Sequence, residues 1–282
     1  HINFNYEKRV SSILTFHLLK YGFAIFKCLS LKIMENNNLE FLKKNLKFLG
    51  FGTSLNAALE AKVSERQESF KIGVSADFSA RQKNGSLGKD KVNYELNFSR
   101  SSKPYNYSLD SIKVTLNDQT HNIFSYGKGN DVTAKEAYNL LRGASIHKKA
   151  ILNRQMDNRV LASGEVGQMK EGSGEKIDSI WIKLDFERRN EQGNFSYKKF
   201  YPDHGFHLET ELSRFPIKEL ENFQEKEMLL SSLGRGNTQN ATLENGQPVF
   251  IEADPESKKI QFYDMDFRKL DVLPTQTQEM GR

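Results

Sequence analysis

The sequence predicts an α+β fold: antiparallel β-meanders with short helices packed on one face, in two consecutive halves. Three observations carry this. Several short runs alternate apolar and polar residues, the period of a strand with one buried face. Turn chemistry separates those runs. Asn245-Gly246 between two strand-like stretches is the strongest such signal, because both turn positions favour positive φ. Helical leucine spacing precedes the strands in each half, over Leu39–Arg66 and over Leu208–Leu233.

The 282 residues suffice for one large domain or two small ones with a real core. Hydrophobic content of 37% and charged content of 27% are ordinary for a globular chain. The 20 Phe and 10 Tyr suit strands. The net charge of +5 is unevenly spread. Residues 1–33 hold five basic and one acidic residue, residues 34–143 hold 16 and 12, and residues 144–282 hold 20 and 23. A mildly basic front and a mildly acidic back give no blanket electrostatic footprint for DNA, and leave room for a local basic stripe. Cys28 is the only cysteine, so an intramolecular disulfide is excluded. Cysteine zinc sites and a thiol nucleophile after residue 33 are excluded with it.

Residues 1–33 differ from the rest. Ser12–Ile33 is apolar but interrupted by His17, Lys20 and Lys27, and internal Lys is costly in a membrane span. The expectation is translated upstream sequence ahead of Met34; the alternative is an amphipathic helix at a membrane or against the domain.

In 34–143, Leu39, Leu42, Leu46 and Leu49 mark a helix that Gly50-Phe51-Gly52 ends. Thr53 or Ser54 caps the next, which buries Leu55, Ala58, Leu59 and Val63. Ile72, Val74, Ala76 and Phe78 form one strand, and Val92, Tyr94, Leu96 and Phe98 the next. Between them, Asn84-Gly85 lies in a polar connection. A third strand changes phase between Leu109 and Ile112, which suggests a bulge; Ile123–Tyr126 is a fourth. Thr133-Ala-Lys-Glu136 is a capping box opening a helix that buries Ala137, Leu140 and Leu141. Residues 144–178 read as a flexible Gly-rich connection.

In 179–270, Ile180, Ile182, Leu184 and Phe186 share one strand face, and Gly193-Asn194 turns into a return strand over Phe195–Tyr201. Leu208, Leu212 and Phe215 mark a short helix, and Pro216 opens another. Gln224–Leu233 is a third, with Gly234 as its stop. Thr238–Leu243, Gln247–Ala253 and Ile260–Asp264 complete a second meander, and 271–282 is a polar tail.

The runs Trp181–Phe186, Gly205–Glu209, Pro216–Leu220, Ser232–Asn237 and Glu252–Pro255 through Tyr263-Asp264 resemble one family. It is a family of uncharacterised domains common on conjugative and other mobile elements of Bacteroidetes. Leu46–Gly52 and Lys135–Leu141 resemble its upstream part, so the resemblance covers roughly 34–270. It implies a bacterial, cytoplasmic, mobile-element setting, and carries no catalytic signature.

The candidate contacts are few. Gly127-Lys128-Gly129-Asn130 precedes the capped helix, where an anion is attracted, but lacks the full P-loop pattern. Gly234-Arg235-Gly236-Asn237 repeats the pattern after a helix; Arg235 is either a phosphate contact or an exposed residue at a helix stop. The pair hints at a duplicated fold, or at two turns of similar chemistry. Lys148, Lys149, Arg154 and Arg159 form a basic segment, and Trp181 is a stacking candidate or a packed core residue. His204 and His207 with Asp203 and Glu209 have partial metal-ligand spacing, interrupted by Gly205, and read as surface or capping residues. Asp264 and Asp266 read as turn residues. No catalytic, cofactor-binding or metal residue is assigned, and no cofactor is expected. The first functional expectation is a non-enzymatic accessory or interaction protein of a bacterial mobile element. A nucleic-acid-binding protein of the same system is the alternative, and an enzyme comes third. The expected partner is a protein or a nucleic acid, with no membrane span.

Overall fold

The computed structural model describes residues 34–81, 87–101, 106–124, 132–152 and 176–275. The 1–33 segment, Asn84-Gly85, Gly127–Asn130 with Lys128, Arg154, Arg159, the Gly-rich stretch and the end of the tail lie outside the described residues. The architecture is α+β, with three antiparallel sheets that are each a sequential meander. The strand orders are β1-β2-β3-β4, β5-β6-β7 and β8-β9-β10-β11. The chain divides into two compact units. One takes the described residues up to Ile72 with Asn97–Asp110; the other takes Gly73–Leu96 and the chain from Ser111.

In the first unit, residues 34–46 form helix α1, which continues as a wide turn over Lys47–Phe51. Its inward stripe is Leu42, Leu46 and Leu49, as the leucine spacing requires. Gly50 and Gly52 take φ of 95° and 65° and end it. Helix α2 spans Asn56–Ser64 and buries Leu59 and Val63, with Leu55 buried at its start. Two local expectations fail here. Ala58 is exposed, and neither Thr53 nor Ser54 caps α2 with its side chain. Instead the Ser54 hydroxyl donates back to the Phe51 carbonyl, a competing local bond. Lys43 joins the helices through Glu60 at 2.6 Å.

Strands β1 (Ser69–Arg81), β2 (Leu87–Arg100) and β3 (Tyr107–Leu116) follow. Phe70 stacks on Phe98 at 4.8 Å and meets Tyr107 at 5.1 Å. The Asn38 amide pairs with the Tyr107 backbone, donating to its carbonyl at 3.0 Å and accepting from its N–H at 2.9 Å. A helix side chain thus satisfies both backbone groups at the start of a strand. The phase change in β3 is real: Leu109 and Ile112 are both buried with two residues between them.

The second unit adds β4 (Gln119–Phe124), α3 (Ala134–Leu141), β5 (Ile146–Leu152), β6 (Lys176–Arg189) and β7 (Phe195–Phe200). Then come α4 (Leu208–Leu212), α5 (Phe223–Gly234), β8 (Gln239–Thr242), β9 (Pro248–Asp254), β10 (Lys259–Tyr263) and β11 (Lys269–Leu270). The residues read as the start of a flexible connection are therefore strand β5, paired with β6 from Ile146↔Ile182 to Leu152↔Lys176. Its long-range partner lies beyond the connection, where local pattern cannot show it. The capping box of α3 is present: Glu136 N–H donates to the Thr133 hydroxyl, and the Glu136 carboxylate accepts from Thr133 N–H. Pro216 does not open a helix; it precedes a short turn over Lys218–Leu220, and its carbonyl accepts from Glu244 N–H.

The β8–β9 hairpin differs from its expected turn. Gly246 alone takes positive φ, at 88°, while Asn245 does not. Leu243 N–H bonds to the Gln247 carbonyl and Gly246 N–H to Leu243, so the loop is a turn closed by one left-handed glycine. Under this sheet Leu212, Leu229, Leu233, Val249, Ile251 and Phe262 form a core with Trp181 and Phe206. Burying one such leucine contributes about 2 kcal/mol.

Gly236, not Gly234, ends α5. It takes φ of 75°, its N–H bonds to Leu233, and Asn237 N–H bonds to Ser232. That is a Schellman closure. Helix α3 closes the same way through Gly143, with Gly143 N–H on Leu140 and Ala144 N–H on Asn139. A Cβ on Gly236 would lie 2.8 Å from the Ser145 carbonyl oxygen. Gly236→Ala should therefore destabilise the protein by more than the about 1–2 kcal/mol of a left-handed alanine alone. Gly52→Ala, with open space around it, should cost only the backbone part. Denaturant midpoints of the two variants check this.

Candidate functional site

Three of the sequence-selected residues, Arg235, Lys148 and Trp181, lie around β5. Trp181 pairs across the sheet with His147 and is buried, with His147 at 4.9 Å and Phe206 at 5.5 Å. It is a core residue and offers no exposed ring. It lies on the opposite strand face from Ile180, which is buried too, so β6 is covered on both sides there. Lys148 bonds the buried Glu136 carboxylate at 2.6 Å, so its charge is neutralised inside the fold rather than offered outward. Lys149 lies in β5 opposite Ser179. Arg235 is exposed, and its guanidinium bonds the Ser231 carbonyl at 3.3 Å and hydroxyl at 3.2 Å. Its own carbonyl accepts from the Asn139 amide at 2.8 Å, and that amide also reaches the Asn237 side chain at 2.8 Å.

His204 accepts from or donates to nothing metallic: Nε2 lies 3.0 Å from the Pro255 carbonyl, which only a protonated Nε2 can serve. His207 starts α4 without a side-chain cap. Asp264 receives the backbone N–H groups of Asp266 and Arg268 and the Arg268 guanidinium, and those bonds hold its carboxyl below the usual range. Among the described residues, no three His, Cys, Asp or Glu side chains are grouped to hold a metal ion.

Two polar clusters escaped the sequence reading. In the first, Asp90 accepts from the Tyr138 hydroxyl at 3.0 Å and from Arg142 at 2.9 Å. Burial drives the Tyr138 phenol far above its ordinary value, so it stays protonated and acts as a donor. The Lys135 ammonium rests against Phe78 and Tyr138, 4.6 and 4.4 Å from the ring centroids. Burial lowers its pKa, while the two ring faces favour its charged form. The cluster fastens α3 to the sheet and carries no nucleophile–base pair. Asp90 has the parity of Val92, Tyr94, Leu96 and Phe98, and this marks it in the sequence as inward-facing.

In the second, His121 of β4 is buried, with Nε2 2.8 Å from the Tyr197 hydroxyl and Nδ1 without a partner. Phe195 stacks near the ring, and Arg189 covers the Phe195 face at 3.9 Å. Asn194 accepts from Asn122 N–H at 3.1 Å. Burial, and then the Arg189 charge, hold the His121 pKa down at about 4. Its parity with Ile123 was the available signal.

Two measurements test these assignments. His121 has a depressed folded pKa, so the unfolded chain binds the extra proton between about pH 6.5 and 4. Its contribution, about 3 kcal/mol, is complete above that window and is lost as pH falls through it. The stability curve of His121→Phe should lack this slope. Lys148→Ala leaves Glu136 buried without its cation and should cost about 3 kcal/mol. Adding Glu136→Gln should restore part of that in a denaturant titration. In comparisons with known proteins, the chain matches no family model, no curated protein and no solved structure.

Proposed function

We propose that this protein is a non-enzymatic interaction module, an accessory protein of a bacterial mobile element. The setting rests on the resemblance of Trp181–Phe186, Ser232–Asn237 and the other quoted runs. The interaction reading rests on one observation: large apolar side chains stand out from helices whose other faces are buried. Phe223 and Met228 of α5 are 77% and 72% exposed, while Leu229 and Leu233 of the same helix are in the core. On α1, Phe41 and Phe48 are each 63% exposed. Folding gains little from such residues, so their value lies in what they meet. Among the described residues, no helix is long and apolar enough to cross a membrane.

Phe223→Ser with Met228→Ser should change unfolding free energy by no more than about 0.5 kcal/mol. A photo-crosslinking residue at position 223, in cells carrying the element, should label a specific protein. A residue at Lys62 serves as the control. Equal labelling at both positions would remove the reading.

One observation favours the nucleic-acid alternative. Arg235 is exposed, and its side-chain bonds stay within its own helix, on Ser231. If it meets a phosphate backbone, binding of single- or double-stranded DNA or RNA weakens steeply with salt. Arg235→Ala then reduces the slope by about one. No binding at low salt ends that alternative.

A further inference from the structure

We propose that α1 is a self-association surface on which a second copy of this chain docks antiparallel, along the line Met34, Phe41, Phe48. This rests on the interaction-module reading and names the partner for one of its faces. The three residues are seven apart, so they share one side of the helix, about 10 Å from one to the next. Met34 is 40% exposed. The buried stripe of Leu42, Leu46 and Leu49 lies on another side, so the exposed line is not the edge of the core.

The line is self-complementary when inverted. A two-fold axis through Phe41 sets Phe41 against its own copy and Met34 against Phe48 of the second chain. Aromatic pairs and sulfur–aromatic contacts are both favourable there. The charges along one flank agree. Glu40 lies just before the axis and Lys44 just after it, and both are exposed. Inversion brings Glu40 beside Lys44 of the second copy, and Lys44 beside its Glu40. A parallel pairing would instead face Glu40 with Glu40 and Lys44 with Lys44, which repel. Glu40 bonds Lys43 at 2.7 Å within its own chain, and its other oxygen stays open to a second cation. Seven-residue apolar spacing with matched flanking charge is the pattern by which helices pair along a seam.

The test uses the full chain in sedimentation equilibrium over a concentration series. A monomer–dimer equilibrium is expected. Phe41→Glu with Phe48→Glu should abolish it, with circular dichroism unchanged because both side chains are exposed. Lys44→Glu should weaken association about tenfold, and Glu40→Lys with Lys44→Glu should restore it. In a Cys28→Ser background, Phe41→Cys should form a disulfide-linked dimer on oxidation, and Lys62→Cys should not. A chain that stays monomeric, a dimer indifferent to the Phe41 and Phe48 changes, or Phe41→Cys that does not cross-link would each overturn the proposal. So would loss, in that double variant, of binding to vesicles or to another protein while the wild-type chain is monomeric. That last outcome would leave the interaction-module reading standing.

Discussion

The second unit depends on how two helices stop. Helices α3 and α5 both end in a left-handed glycine, and the two ends are joined by side-chain amides. Asn139, whose carbonyl takes part in closing α3, also binds the Arg235 carbonyl and the Asn237 side chain in the closure of α5. Gly236 packs so near Ser145 and Ile146 that no side chain fits between them. This fixes where β5 begins. It also fixes where Trp181 lies, because β5 and β6 are paired at His147↔Trp181. The Gly-Arg-Gly-Asn run looks like ligand chemistry in the sequence; in the fold its second glycine and its asparagine are explained by helix termination.

Regular patterns were readable because each rests on a nearest-neighbour rule. The alternation in β2, the phase change in β3 and the capping box of α3 depend only on residues a few positions apart. The failures share one cause. Strand β5 has a partner some thirty residues away, so its seven residues look like loop when read alone. Trp181 seemed free because β6 was assumed to have one covered face, whereas α5 and the C-terminal sheet supply a second cover. Asn245 was assigned a conformation that a longer loop makes unnecessary, since one glycine suffices to turn the chain.

The candidate contacts follow the same logic. Charge and aromaticity mark residues able to bind something, but not whether the protein itself is what they bind. Lys148 is used by Glu136 and Trp181 by the core. Arg235 alone remains outward among those described with side chains. The informative residues were hidden by ordinary parity: Asp90 and His121 sit where hydrophobic residues belong, and each is held by a tyrosine hydroxyl. Both are fastenings between elements rather than reaction centres.

Those fastenings differ in kind. The α3–α5 junction is made of neutral amides, carbonyls and glycines, so acid leaves it unchanged. The contact of β4 with the β6–β7 hairpin centres on an imidazole that must stay uncharged. Mild acid therefore acts on one seam of a unit and spares another. The hairpin tip would part from β4 while the helices still hold β5 in place, so acid unfolding would proceed through a partly opened form rather than in a single step.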